Sequence, residues 1–127
     1  MKKKSITVIR ILFGLMLLAF GIIGLLNLAP ESHYAEPATN FMDALIKTGY
    51  IMVVVLIMKL LVGTSLLINR FVPLALVLFM PISVNMFLFH LFLDTASIFP
   101  ALVIVCLNGY LLFAYLEKYK PFLGAKI

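Results

Sequence analysis

Polar residues cluster in a few places in this chain: the start as far as Arg10, the connection 29–49, the turn at Asn69 and Arg70, a break at Asp94, and the tail from Glu117 onward, with only scattered ones elsewhere. Between them run four nearly unbroken apolar windows, 11–28, 50–68, 72–93 and 98–116. A helix rising 1.5 Å per residue needs about 20 apolar residues to cross a hydrocarbon core about 30 Å thick, and each window is close to that length. Membrane strands would instead alternate apolar and polar residues over about ten positions. These windows are apolar on nearly every side, so the pattern predicts helices over residues 6–28, 50–68, 72–93 and 98–116. The expected fold is an all-α membrane protein, a four-transmembrane-helix bundle forming one domain over 1–127. A short amphipathic surface helix is expected between the first two spans. There Thr39 precedes a turn that sets Phe41, Met42, Leu45 and Ile46 against lipid or the bundle, with an Asp43 to Lys47 pair at i,i+4 and Gly49 as its stop.

Composition sharpens this picture. Of 127 residues 65% are hydrophobic and 12% charged, and the mean hydropathy is +1.20. What lies outside the windows is too little for a soluble catalytic domain, so the chain is not expected to be an enzyme on its own. Met1 to Lys4 before an apolar run resembles a signal peptide, but the run is long and no small-x-small pattern precedes Pro30, which predicts a retained first helix. Cys106 is the only cysteine. It excludes an intrachain disulfide and a thiolate metal cage, and no metal site is expected.

Charge orients the bundle. Lys2, Lys3, Lys4, Arg10, Arg70, Lys118, Lys120 and Lys126 fall on one side of the predicted spans, whereas the opposite loops hold Lys47 with Glu31, Glu36, Asp43 and Asp94. The positive-inside rule then places both termini in the cytoplasm. The net charge of +5 is explained by this flank and by anionic lipid, without nucleic acid. Pro73 and Pro100 suit first turns of helices, and Ser97 suits an N-cap. Gly14 and Gly21 share a face of the first helix beside Gly24, while Gly63 and Gly109 offer close approach in the second and fourth.

Polar residues inside the windows are the candidates for chemistry. Counted from the outer ends, Lys59, Asn85 and Asn108 all lie roughly 12–15 Å deep, near the midplane. An ammonium there cannot reach water along a stem of about 6 Å, so Lys59 is expected to face an interior polar cavity shared with Asn85 and Asn108. The bland alternative is that the two asparagines only join helices. Pro81 removes the partner of the Val77 carbonyl and bends the third span, and Ser83 is expected to bond back to Phe79. Near the outer face, His90 and Asp94 form an i,i+4 pair able to hold a proton, a metal or a headgroup, or simply an interfacial histidine beside a carboxylate. His33 stands in the outer connection.

Arg10-Ile-Leu-Phe-Gly14, the segment from Phe41-Met42 to Thr48-Gly49-Tyr50, and the run 63–94, GTSLLINRFVPLALVLFMPISVNMFLFHLFLD, resemble the DoxX family of small four-helix membrane proteins. The resemblance covers nearly the whole chain and implies an integral protein of the bacterial cytoplasmic (inner) membrane. Its relatives include membrane subunits of sulfur-oxidising, quinone-linked oxidoreductases and of oxidative-stress assemblies. Two departures restrict what it implies. Lys59 stands where relatives often have an acid four positions before the glycine matching Gly63, and Cys106 alone cannot perform paired-cysteine chemistry, so thiosulfate oxidation is not carried over. Three classes of function follow: an accessory or quinone-linked subunit of a redox system, a small transporter or proton-linked channel using Lys59, Asn85 and Asn108, and a structural membrane protein without chemistry. The expected partners are the lipid bilayer and either a redox-enzyme subunit or further copies of the chain, with quinone as the candidate cofactor.

Overall fold

A computed structural model describes residues 2–26 and 36–123. Glu31, His33 and Lys126, assigned above to the outer connection and the tail, lie outside the described residues, as does the side chain of Ser97. The helices are α1 (Lys2–Leu25), α2 (Glu36–Lys47), α3 (Ile51–Ile68), α4 (Val72–Leu93), α5 (Ile98–Ala114) and α6 (Leu116–Leu123), with a 3-10 turn over Thr95–Ser97. No strand occurs among the described residues. Helices α1, α3 and α4 are long and apolar enough to cross a membrane, and a fourth span results if α5 and α6, bent by 73° to each other, are taken together.

Each long helix buries one stripe and exposes the rest. In α1 the buried positions are Arg10, Phe13, Gly14, Leu17 and Gly21; in α4 they are Val72, Ala75, Leu76, Phe79 and Ser83; in α5 they are Ala101, Ile104, Asn108 and Leu111. Spacings of three and four keep each set on one helical face. The outward faces remain apolar, with Leu12, Val53, Leu78 and Phe113 exposed, as a lipid solvent permits.

Helix α1 packs against α3 and α5, and α4 packs against the same two, so α3 and α5 sit diagonally rather than as an extensively packed pair. Across the other diagonal Phe13 meets Phe79 edge to face, with ring centroids 6.1 Å apart. The closest seam joins α1 to α3. A Cβ added at Gly63 would lie 3.0 Å from the Gly14 carbonyl oxygen and 2.9 Å from Leu18 Cγ, so only hydrogen fits between these backbones. At the end of the same seam the Arg10 guanidinium, buried, donates through Nη1 to the Leu66 carbonyl oxygen in the last turn of α3. A cation there meets the negative end of the helix dipole. Asn69 adopts the left-handed conformation at φ 57° and its N–H closes the turn on Ser65.

Two contacts fix which ends lie together. Arg10 reaching Leu66, and the Tyr119 hydroxyl donating to the Pro73 carbonyl at 2.6 Å, gather the start of α1, the α3–α4 turn and α6 at one end. That end carries Lys3, Lys4, Arg70, Lys118 and Lys120. Helix α2 lies at the other end on α3 and α4, with Ala38 buried and the Phe41 ring 5.5 Å from Phe89. Thr39, expected to precede it, is instead interior to the helix, whose residues Glu36 and Pro37 both suit a first turn. The Asp43 to Lys47 ion pair does not form, since two exposed side chains gain little by holding one geometry in water.

Gly63→Ala should destabilise the bundle by about 1–3 kcal/mol, because the backbone of α1 cannot yield as a flexible side chain would. Gly109, with nothing within 4 Å of an added Cβ, should accept alanine with no loss or with a gain of up to about 1 kcal/mol. Thermal unfolding of both variants in one detergent, followed by far-ultraviolet circular dichroism, checks the contrast.

Candidate functional site

Helices α4 and α5 meet through a buried polar clip. The Ser83 hydroxyl lies 2.8 Å from Asn108 Oδ1 and 3.0 Å from the Met80 carbonyl, and Asn108 Nδ2 donates to the Leu76 carbonyl at 3.3 Å. A hydroxyl has one proton, so Ser83 shares it between an acceptor on its own helix and one on α5. Its partner on α4 is Met80, not Phe79. The i−3 carbonyl is the nearer acceptor for a serine hydroxyl one turn on. Asn108 and Ser83 are both fully buried.

Lys59, Asn85 and Asn108 do not converge. Asn85 is exposed, and its Nδ2 donates at 2.8 Å to the carbonyl of Pro81 in its own helix. This corrects the expectation of a shared cavity, for a physical reason: an amide in hydrocarbon needs a partner, and a carbonyl four residues back supplies one without turning inward. Lys59 lies half-buried on the α1–α3 seam, its Cβ 3.5 Å from where a Cβ on Gly21 would stand. It is therefore beside α1, on the helix diagonal to the one that carries Asn108. Among the described residues it makes no ion pair. Pro81 lies inside α4, which continues as one helix through it.

At the opposite rim, His90 stands in the last turn of α4, its Nδ1 3.4 Å from the backbone carbonyl oxygen of Asp94 and its ring edge-on to Phe89. The Asp94 side chain is buried, and its Oδ2 has no hydrogen-bond partner among the described residues. Among those residues no three histidine, cysteine, aspartate or glutamate side chains gather in a way that could hold a metal ion.

A further concavity lies away from the candidate site residues Lys59, Asn85, Asn108, His90 and Asp94. A groove of about 840 Å³ runs between the start of α4, the end of α5 and α6, floored by Pro73, Leu74, Val77 and Leu112 and flanked by Phe71, Phe113, Phe122 and Lys118. That volume lies within the range of small-molecule and lipid pockets. Phe71 holds φ 58° as the residue before α4, a left-handed conformation that costs a bulky side chain about 1–3 kcal/mol, and its ring stands exposed at the groove's edge. Tyr119, bonded to Pro73, ties α6 across the α4 end of the groove. The sequence carried a signal for this site. Aromatic and basic residues interleave in Leu116-Glu117-Lys118-Tyr119-Lys120, the composition of a membrane-interface belt. Arg10 carried a signal for the α1–α3 seam, since an arginine within an apolar run must find an acceptor.

Comparisons of this chain with protein-family models, with curated proteins and with solved structures return no match.

Asn108→Leu should lower the stability of the bundle by about 0.6–2 kcal/mol, the range of interhelical polar contacts in membrane proteins, whereas Asn85→Leu should leave it unchanged or raise it. Equilibrium unfolding in mixed micelles distinguishes the two. A loss at Asn85 as large as that at Asn108 would mean that Asn85 also holds a neighbouring helix.

Proposed function

We propose that this chain is an integral protein of the bacterial cytoplasmic membrane, with α1, α3, α4 and α5 as its spans, α2 on the outer surface and both termini in the cytoplasm. It acts as a DoxX-like accessory subunit that supports a membrane redox or oxidative-stress assembly. The orientation is supported by Lys3, Lys4, Arg70, Lys118 and Lys120 sharing one end of the bundle. The redox context is supported by the resemblance carried by Arg10-Ile-Leu-Phe-Gly14 and by the run 63–94.

One observation favours a supporting role over transport: the buried polar side chains Arg10, Ser83 and Asn108 each bond to protein atoms across a helix seam. A transport path needs polar groups left available along the bundle axis. Asn85 points away from that axis and Asn108 is closed on α4. Only Asp94 Oδ2 stays unbonded among the described buried side-chain atoms, and it lies at the rim.

Quinone, the cofactor implied by the resemblance, is held by donors at its ring carbonyls. The groove offers one ammonium, Lys118, because the Tyr119 proton is committed to Pro73. Its residues do not fit a two-point quinone site, and no electron-transfer step is assigned to this chain.

An affinity-tagged chain, expressed in its own host and solubilised in mild detergent, should bring down an oxidoreductase polypeptide in fixed ratio. Reconstituted alone, it should add no proton or solute flux to liposomes. Flux abolished by Lys59→Leu would overturn this reading in favour of a transporter.

A further inference from the structure

We propose that the groove between α4, α5 and α6 binds one anionic phospholipid, with an acyl chain against Leu74, Val77 and Leu112 and the phosphate at Lys118. The inference rests on the reading of the chain as a membrane protein and not on its redox role.

The first argument is shape and lining. From Phe71 to Val77 the groove follows α4 for six residues, about 9 Å at 1.5 Å per residue, which is more than half of a leaflet about 15 Å deep. Along that depth the walls are hydrocarbon and aromatic, with polar groups only at the α6 end. A long chain entering from the bilayer, polar at one end, has the same distribution. A peptide or a polar metabolite would leave its amides or hydroxyls without partners on those walls.

The second argument is charge. Helix α6 carries two lysines and one glutamate, and Lys120 Nζ takes Glu117 at 2.8 Å. Lys118, which lines the groove, therefore keeps its ammonium for another anion. Among the described residues it forms no ion pair. An unpaired cation at the polar end of an apolar groove matches a phosphodiester with net negative charge and matches a zwitterionic headgroup less well. Phe71, Phe113 and Phe122, which flank it, are among the most exposed large apolar residues described, at 74%, 76% and 86%. A chain lying between them would cover surface that the protein itself leaves open.

The 73° turn between α5 and α6 makes the groove. Had α6 continued the line of α5, no wall would stand opposite Leu74. Tyr119 bonding to Pro73 holds that turn, so the binding site and the end of the bundle are built by one contact.

The test uses the full chain in mild non-ionic detergent, exposed to equal amounts of phosphatidylglycerol and phosphatidylcholine and examined by native mass spectrometry. One phosphatidylglycerol per chain should be retained in preference to phosphatidylcholine. Lys118→Gln should reduce that preference about fivefold, the ratio for one cation near an anionic surface, while Lys47→Gln at the opposite end should leave it unchanged. Leu74→Trp, at an exposed position, should empty the groove of both lipids with the circular dichroism spectrum intact. Equal retention of the two lipids would overturn the proposal while leaving the membrane reading in place. So would equal losses in Lys118→Gln and Lys47→Gln, or a quinone or second chain held there instead. A chain that stays soluble and monomeric without detergent would overturn the membrane reading as well.

Discussion

Helices in lipid gain nothing from hiding apolar surface against one another, because the solvent is as apolar as they are. Association then depends on how closely backbones can approach and on polar groups that must find partners inside the protein. The α1–α3 seam supplies both. Gly14 and Gly63 bring two backbones into contact, and Arg10 crosses the same seam to the last turn of α3. Everything else is placed relative to that pair: α4 follows α3 through the Asn69-Arg70-Phe71 turn, and α5 leans on α1 and α4. The Ser83–Asn108 clip then closes the ring at the α4–α5 seam.

A functional consequence follows from the same economy of partners. Buried polar groups that satisfy each other across seams hold helices together and leave no ladder of sites for a moving ion. The chemistry is displaced to the ends. At one rim Asp94 keeps a buried carboxylate oxygen without a partner among the described residues; at the other, α6 turns sharply and opens an apolar groove edged by the Lys118 ammonium.

Much of the architecture was legible in the sequence, because the property that sets it is averaged over many residues. The apolar windows reflect a 20-residue requirement that single substitutions barely disturb, and α4 occupies the same positions, 72–93, as the window it came from. Glycines seven apart on α1 indicated a face for close approach, and that face does meet α3. The candidate site was less legible, since sharing a depth does not mean sharing a partner. Lys59, Asn85 and Asn108 have similar depths, yet Asn85 found its acceptor four residues back and Asn108 found its own on α4. Which of two available acceptors an amide takes depends on the rotation of a helix by a fraction of a turn, and periodicity does not fix that rotation when every face is apolar. The groove was hidden for another reason: it depends on the break after Ala114, where apolar residues run on into the amphipathic tail.

The closed interior is tested most directly by water access at its centre. Ile104, buried one turn before Asn108 on the same face of α5, can be changed to cysteine (Ile104→Cys) in a Cys106→Ser background, reconstituted in sealed vesicles, and challenged from each side with a small charged thiosulfonate. The expected result is no modification from either side while the bundle stays folded and full modification after denaturation. Modification of the folded protein at the rate of a solvent-exposed thiol would contradict a closed bundle and restore an aqueous path through it.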